Sequence, residues 1–321
     1  MNRVLVTGAT GLVGRHLCKL LVSLGYKVIG TTRSRTSDSA SSNYELRTIG
    51  DIGDDLDWGS ILEGIDYVVH LAARVHVMQD VEKDPLAEFR RINVRGTEQM
   101  LRHKGMRNVR RFVYLSSVKV HGEETTDAPF SASDRLMPVD PYGQSKLEAE
   151  QLVEAIGTEL GIETVIIRPP LVYGPGVGGN FVRLLRMVHK GIPLPFGHIE
   201  NSRSFVSVQN LCDLIGECLA NSAASRKRFL VSDNNDVSTP ELIRLIATSM
   251  SRPTRLVPVP ASILRLGAKL IGRPAEASRL IDSLQVDIED TMQTLDWKPP
   301  LTLADGIQST VTWYEEQEAD A

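Results

Sequence analysis

Residues 4–17, VLVTGATGLVGRHL, run from an apolar strand pattern through three glycines into an amphipathic helix pattern. A tight turn at such a junction needs a residue without Cβ. Close approach of a pyrophosphate to backbone N–H groups needs a second, and close helix–strand packing needs a third. Gly8, Gly11 and Gly14 fill these places, with Leu12 and Val13 between the last two. The position of the glycines, after a β-run and at the opening of a helix, makes them a dinucleotide-binding signal rather than a chance spacing.

The same alternation continues outward. Strand patterns fall at 3–8, 27–31, 46–50, 66–72, 111–117 and 163–169, and helix patterns at 12–24, about 57–63, 86–104 and 142–160. Short apolar strands separated by amphipathic helices define an α/β protein with a doubly wound parallel (Rossmann) sheet covered on both faces. After Arg168 the regularity fails. Proline and glycine cluster in RPPLVYGPGVGGN (168–180) and KGIPLPFGH (190–198), with a helix at about 180–190 between them and a late helix at 302–317. The expected division is a dinucleotide domain over 1–168 with a return at about 205–235. A smaller C-terminal α/β substrate lobe takes 169–204 and 236–321.

The 321 residues, 42% hydrophobic and 24% charged, suit an ordinary globular chain with a substantial core. A formal net charge of −4 gives no basic field for nucleic acid. Cys18, Cys212 and Cys218 show neither metal-ligand nor disulfide spacing, which suits a reducing cytoplasm. The apolar run begins three residues from Met1, too early for a signal peptide. No stretch reaches the length of a membrane span. The longest candidate, VPASILRLGAKLIG (259–272), is interrupted by Arg265 and Lys269 and reads as an amphipathic helix, with domain packing expected ahead of a membrane-surface role.

Reactive groups stand in DPYGQSK (140–146), where Tyr142 and Lys146 lie four apart on a predicted helix and share a face. A free tyrosine, of pKa about 10, is a poor base at neutral pH, and an ammonium one turn away is expected to bring it toward the working range. YLSSVKVHG (114–122) sets Ser116 and Ser117 at the carboxyl end of the fifth strand, where open α/β sheets bind ligands.

The spacing T-G-x-x-G-x-x-G resembles the extended short-chain dehydrogenase/reductase family, of the NAD-dependent epimerase/dehydratase type. Further motifs follow in the family's order: GDIGD (50–54), HLAA (70–73), INVRGT (92–97), RPPLVYGPG (168–176) and a terminal LDWKPP (295–300) with Asp296 in place of glycine. The resemblance implies that Asp51 and Ile52 meet the adenine, and that Leu71, Ala72 and Ala73 pass beneath the diphosphate and ribose. It implies that Asn93, counted with the cofactor residues, braces the active-site strand. Ser117, Tyr142 and Lys146 become the catalytic triad, the last two also touching the cofactor. His121, where many relatives have tyrosine, is expected to be a neutral wall residue. In the second lobe, Asn180 and Arg203 correspond to contacts with the diphosphate of a UDP-sugar, although Ser204 replaces the usual aspartate. Phe196 is a candidate to pack on the uracil, and Arg273 and Arg279 to hold the second phosphate. Relatives often form homodimers through the helices at 86–104 and 142–160.

Two departures bear on the reaction. Dehydratases of the family carry an Asp-Glu pair after the triad serine, and Val118 and Lys119 stand there instead, which disfavours dehydration. The second strand ends in Thr31, Thr32 and Arg33, with Arg35 close behind, where NAD-preferring relatives place an acid. Arg33 is either a bracket for a 2′-phosphate or a solvated loop residue. The cofactor is thus NADP(H) or NAD(H). The missing acid tilts the expectation to an NADPH-linked reduction of a UDP-4-keto-6-deoxy-hexose(amine). A UDP-glucose or UDP-N-acetylglucosamine 4-epimerase is the alternative, and a non-catalytic dinucleotide sensor or scaffold the third reading.

Overall fold

Strand β1 (Arg3–Thr7) lies between β2 (Lys27–Thr32) and β4 (Tyr67–His70), parallel to both. Outward from β2 lies β3 (Glu45–Thr48). Outward from β4 lie β5 (Arg111–Leu115), β6 (Glu163–Arg168) and, at the edge, β9 (Lys227–Leu230). All seven strands are parallel. The spatial order reverses between β1 and β4, and such a switch point opens a ligand crevice beyond the carboxyl ends of the strands. The computed structural model describes residues 1–34, 43–75 and 84–319.

Alternation along β1 explains the two covered faces. Val4 and Val6 turn toward α1 (Leu12–Ser23), and Leu5 turns the other way. The helices that follow are the single turn α2 (Gly59–Leu62), α3 (Pro85–Phe89), α4 (Gly96–Arg102) and α5 (Pro141–Leu160). Beyond them come α6 (Gly179–His189) and α7 (Val208–Ala220). Leu17 and Leu21 of α1 meet Leu211, Leu214 and Ile215 of α7 over one face, while Val153 and Ile156 of α5 pack with Phe112 and Ile166 over the other. Each such fully buried side chain contributes about 1.5–3 kcal/mol.

The predicted helix over 86–104 is interrupted: between α3 and α4 the residues Arg90–Arg95 form a π-helical turn. The sequence reading lacks three strands: the edge strand β9, and β7 (Leu171–Tyr173) and β8 (Phe205–Ser207), which pair in parallel as a separate small sheet. Three residues amid prolines and glycines are too few to show a period. Around this small sheet pack α6, α8 (Thr239–Ser249) and α12 (Leu303–Ala319), through Phe181, Leu185, Ile246, Ile307 and Val311.

The remaining helices are α9 (Ala261–Leu270), α10 (Pro274–Ile281) and α11 (Glu289–Leu295). The packing role expected for 259–272 holds only for one side: α9 packs against α10 and is tied to Asp282 through Arg265, and its other side is left uncovered. No residue of α9 is fully buried, and Ile263, Leu266 and Leu270 face outward. Among the described residues no helix is long and apolar enough to cross a membrane.

Candidate active site

The glycine turn sits at the switch point. A Cβ on Gly14 would stand 2.2 Å from the Gly8 carbonyl oxygen, so only glycine lets α1 press against the turn. Gly11 caps α1 without a side chain, and the first turn holds no acid. The N–H groups of Leu12, Val13 and Gly14 therefore face the crevice at the positive end of the helix, a fit for a diphosphate.

Beneath the turn runs a directed chain of hydrogen bonds. The N–H groups of Leu71 and Ala72 both donate to Thr7 Oγ1, each at 3.1 Å. Thr7 then donates to His70 Nδ1 (2.9 Å), His70 Nε2 donates to Thr97 Oγ1 (3.1 Å), and Thr97 donates to the Asn93 carbonyl (2.7 Å). Both ends are fixed by backbone groups, so the imidazole is neutral with its proton on Nε2. Burial, with the Lys146 charge adding to it, lowers the His70 pKa to about 3. His121, also buried, is lowered to about 4. An unfolded histidine titrates near 6.5, so the unfolded chain binds the extra protons and stability falls as pH drops below that value. Between pH 6.5 and 5, where carboxylates scarcely titrate, we expect a loss whose slope rises from about 0.7 toward about 1.4 kcal/mol per pH unit for each of the two histidines. Urea unfolding midpoints across that window check this; an unchanged midpoint would mean that both rings protonate within the fold.

Asn93 differs from its expected place among the cofactor contacts. It is 1% exposed, its Oδ1 accepts from the Arg74 N–H, and its Nδ2 donates to the Arg74 carbonyl and to Ser145 Oγ. It clamps the chain after Ala73 to α5 and has no face left for a ligand. Asp51 lies past the end of β3, accepting from the Gly53 N–H and paired with Arg91, and Ile52 is buried beside it. Thr31 and Thr32 are buried at the end of β2, while Arg33 is exposed. Arg35 lies outside the described residues.

At the end of β5, Ser117 caps the short turn Val118–Val120. Asp140 caps α5 by accepting from the Gly143 N–H, and Pro141 occupies the first helical position. Two contacts bind these segments together. The Lys119 ammonium pairs with Asp140 and Glu123, and a Cβ on Gly143 would stand 2.7 Å from the Lys119 carbonyl oxygen. Tyr142 is thereby held against Ser117.

The triad residues come together, but their electrostatics differ from expectation. Tyr142 has its pKa raised to about 12 by burial, against a hydrogen bond from Ser117 that lowers it. The Lys146 Nζ donates to the Leu115 carbonyl at 2.5 Å and lies 4.2 Å from the centre of the Tyr114 ring. Burial lowers the Lys146 pKa to about 7, with Glu150 opposing. The lysine, four residues along the helix from Tyr142, is held by the end of β5. Ser116 Oγ, buried at the same strand end, has no hydrogen-bond partner among the described residues.

Several supporting residues escape the motifs. Glu150, one turn beyond Lys146, forms a two-point ion pair with Arg168 at 2.7 and 3.0 Å, both side chains 2% exposed. Arg168 also donates to His121 Nε2, which keeps that imidazole neutral and makes it a wall residue stacked on Phe130. The i, i+4 spacing of Lys146 and Glu150 is the signal that was there to read.

In the second lobe, Arg203 Nη1 donates to the Asp282 carbonyl at 2.7 Å. Burial lowers the Arg203 pKa to about 10, and the nearby Arg279 cation lowers it further, against Asp282. Arg279 is thus the arginine beside Arg203. Arg273 is exposed and paired with Glu276. Asn180 sits at the second position of α6, near Arg183, and Phe196 packs half-buried on the second-lobe core. An open cavity of about 420 Å³ runs between residues 124–126, 198–201 and the inner side of α9.

A glycine-turn crevice facing a Ser-Tyr-Lys cluster on a doubly wound sheet defines an enzyme of the extended short-chain dehydrogenase/reductase class. The model of the NAD dependent epimerase/dehydratase family matches residues 4–231, and the chain belongs to that family. It is 44% identical to a UDP-glucose 4-epimerase of Vibrio cholerae over 310 residues, covering 96% of this chain and 94% of that protein. Among solved structures, it is similar to the UDP-glucuronic acid 4-epimerase of Bacillus cereus in complex with NAD, with TM-score 0.79, 22% identity, and 98% and 99% of the two chains covered. It is also similar to MoeE5 in complex with UDP-glucuronic acid and NAD, with TM-score 0.78, 25% identity, and 98% and 100% covered.

Proposed function

We propose that this enzyme is a UDP-hexose 4-epimerase using NAD, with UDP-glucose or UDP-N-acetylglucosamine as the substrate class. What carries the reading is the 44% identity to a UDP-glucose 4-epimerase over nearly the whole chain, joined to a Ser-Tyr-Lys cluster without a dehydratase acid pair. The order of preference read from the sequence, reductase before epimerase, is thereby reversed. A single missing acid at the end of β2 is one contact; similarity along 96% of the chain is many.

The glycine turn would hold the diphosphate of the dinucleotide, and the segment 71–73 would run beneath it. Bound NAD would supply the hydride acceptor. Tyr142, in its deprotonated form, would take the proton of the C4 hydroxyl and later return it. The single Ser117 hydroxyl proton is donated to the Tyr142 oxygen, which favours its deprotonated form against the effect of burial. Lys146, poised near neutrality, contributes positive charge next to the ribose side. Arg203 and Arg279, with Asn180, would bind the UDP diphosphate at a distance from C4.

A 4-keto-sugar reductase is the second reading, favoured by the exposed Arg33 and by the absence of an acid in Thr31–Thr32–Arg33. One assay separates them. Incubated with UDP-glucose and UDP-N-acetylglucosamine and no added cofactor, the protein should form the C4 epimers. Failure with both, together with NADPH oxidation on UDP-4-keto-6-deoxy-N-acetylglucosamine, would put the reductase first. In that case Arg33→Ala should weaken NADP binding more than NAD binding.

A further inference from the structure

The helix α9 turns its apolar side away from the protein. Ile263, Leu266 and Leu270 recur at helical spacing on one face and are 58%, 61% and 79% exposed. Ile271, 71% exposed, and Val257, 44% exposed, lie just after and just before the helix. The inner side holds Leu264 and Ala268, half-buried, and Arg265, which ties the helix to Asp282 at 2.5 Å. Monomers seldom leave so many large aliphatic side chains together in water without a partner.

The charge around this face says which partner. Residues 251–281 contain six arginines and lysines and one glutamate, in a chain whose formal net charge is −4. Arg252, Arg255, Lys269 and Arg273 are all exposed, with Arg255 two residues before Val257 and Lys269 and Arg273 on either side of Leu270 and Ile271 in the chain. A second copy packed symmetrically on the same face would set this basic rim against itself. An anionic bilayer accepts both parts: the stripe enters the acyl boundary and the cations meet the headgroups.

We propose that α9 and its basic flanks form a membrane-surface anchor for anionic lipid. The helix lies along the interface with Ile263, Leu266 and Leu270 inserted. Arg265 and Asp282 transmit that orientation to the segment that also receives the Arg203 guanidinium, so the anchored molecule holds its second lobe at the bilayer. This surface is independent of the choice between epimerase and reductase.

The test is sedimentation of the full-length protein with vesicles of phosphatidylglycerol mixed with phosphatidylcholine, and with phosphatidylcholine alone. The wild type should pellet with the anionic vesicles and not with the neutral ones, and high salt should release it. Leu266→Glu/Leu270→Glu should abolish pelleting while turnover on a water-soluble nucleotide sugar stays within two-fold, by the rule that surface changes away from a site have small effects (~). Lys269→Glu should weaken vesicle binding by about five-fold or more. A wild type that stays in the supernatant with anionic vesicles would overturn the proposal, as would a double-glutamate variant that pellets like wild type. So would a concentration-dependent dimer that the double variant loses, with no vesicle binding by either protein.

Discussion

Tyr142→Phe is expected to lower turnover by about 10²–10⁴ while leaving dinucleotide affinity within a few-fold. The variant keeps the ring, which stands 5.9 Å from that of Phe89, and removes only the hydroxyl. Burial disfavours the phenolate that the reaction needs as its base, and the hydrogen bond from Ser117 opposes that effect. Turnover measured at saturating substrate, beside a direct titration of the cofactor, separates the two effects. A phenylalanine variant with near-normal turnover would remove Tyr142 from the chemistry.

Arg168→Met should destabilise the fold by about 3–5 kcal/mol, because it leaves the Glu150 carboxylate buried without its partner. Converting Glu150→Leu as well should recover most of that loss, since a well-packed apolar pair often replaces a buried ion pair at little cost. Thermal unfolding of the single and double variants decides the matter. A single variant within about 1 kcal/mol of wild type would show that water or another group reaches the carboxylate. The same pair bears on chemistry, because Glu150 raises the proton affinity of Lys146. Removing the Arg168 cation while keeping the carboxylate should move the Lys146 titration upward.

Much of the site is readable because its parts are local spacings. Gly8, Gly11 and Gly14 mark a strand-to-helix junction, His70 to Ala73 mark a strand end, and Tyr142 and Lys146 share a helix face. What a linear reading misses is what happens between elements. Lys146 spends its ammonium on a carbonyl of β5, so the expected lowering of the Tyr142 pKa does not follow from spacing alone. Arg168 and Glu150 meet across strand and helix, and nothing short-range announces it. The strands β7 and β8 gain their identity from each other. The periodicity of α9 is correct as a helix signal, but periodicity does not say whether the apolar side looks in or out.

The π-helical turn at Arg90–Arg95 has a consequence at the level of chain length. A π turn accommodates one residue more than the α-helical path it replaces. That surplus residue lets Arg90 reach outward to Glu148 while Asn93 turns inward to Arg74 and Ser145. Deleting a single codon in this stretch would relax it to an ordinary helix and rotate Asn93 out of its socket. No side chain of the Ser-Tyr-Lys cluster would have been changed. Helix α5 and the chain after Ala73 are thus held in phase by one surplus residue, invisible to any comparison of residue types alone.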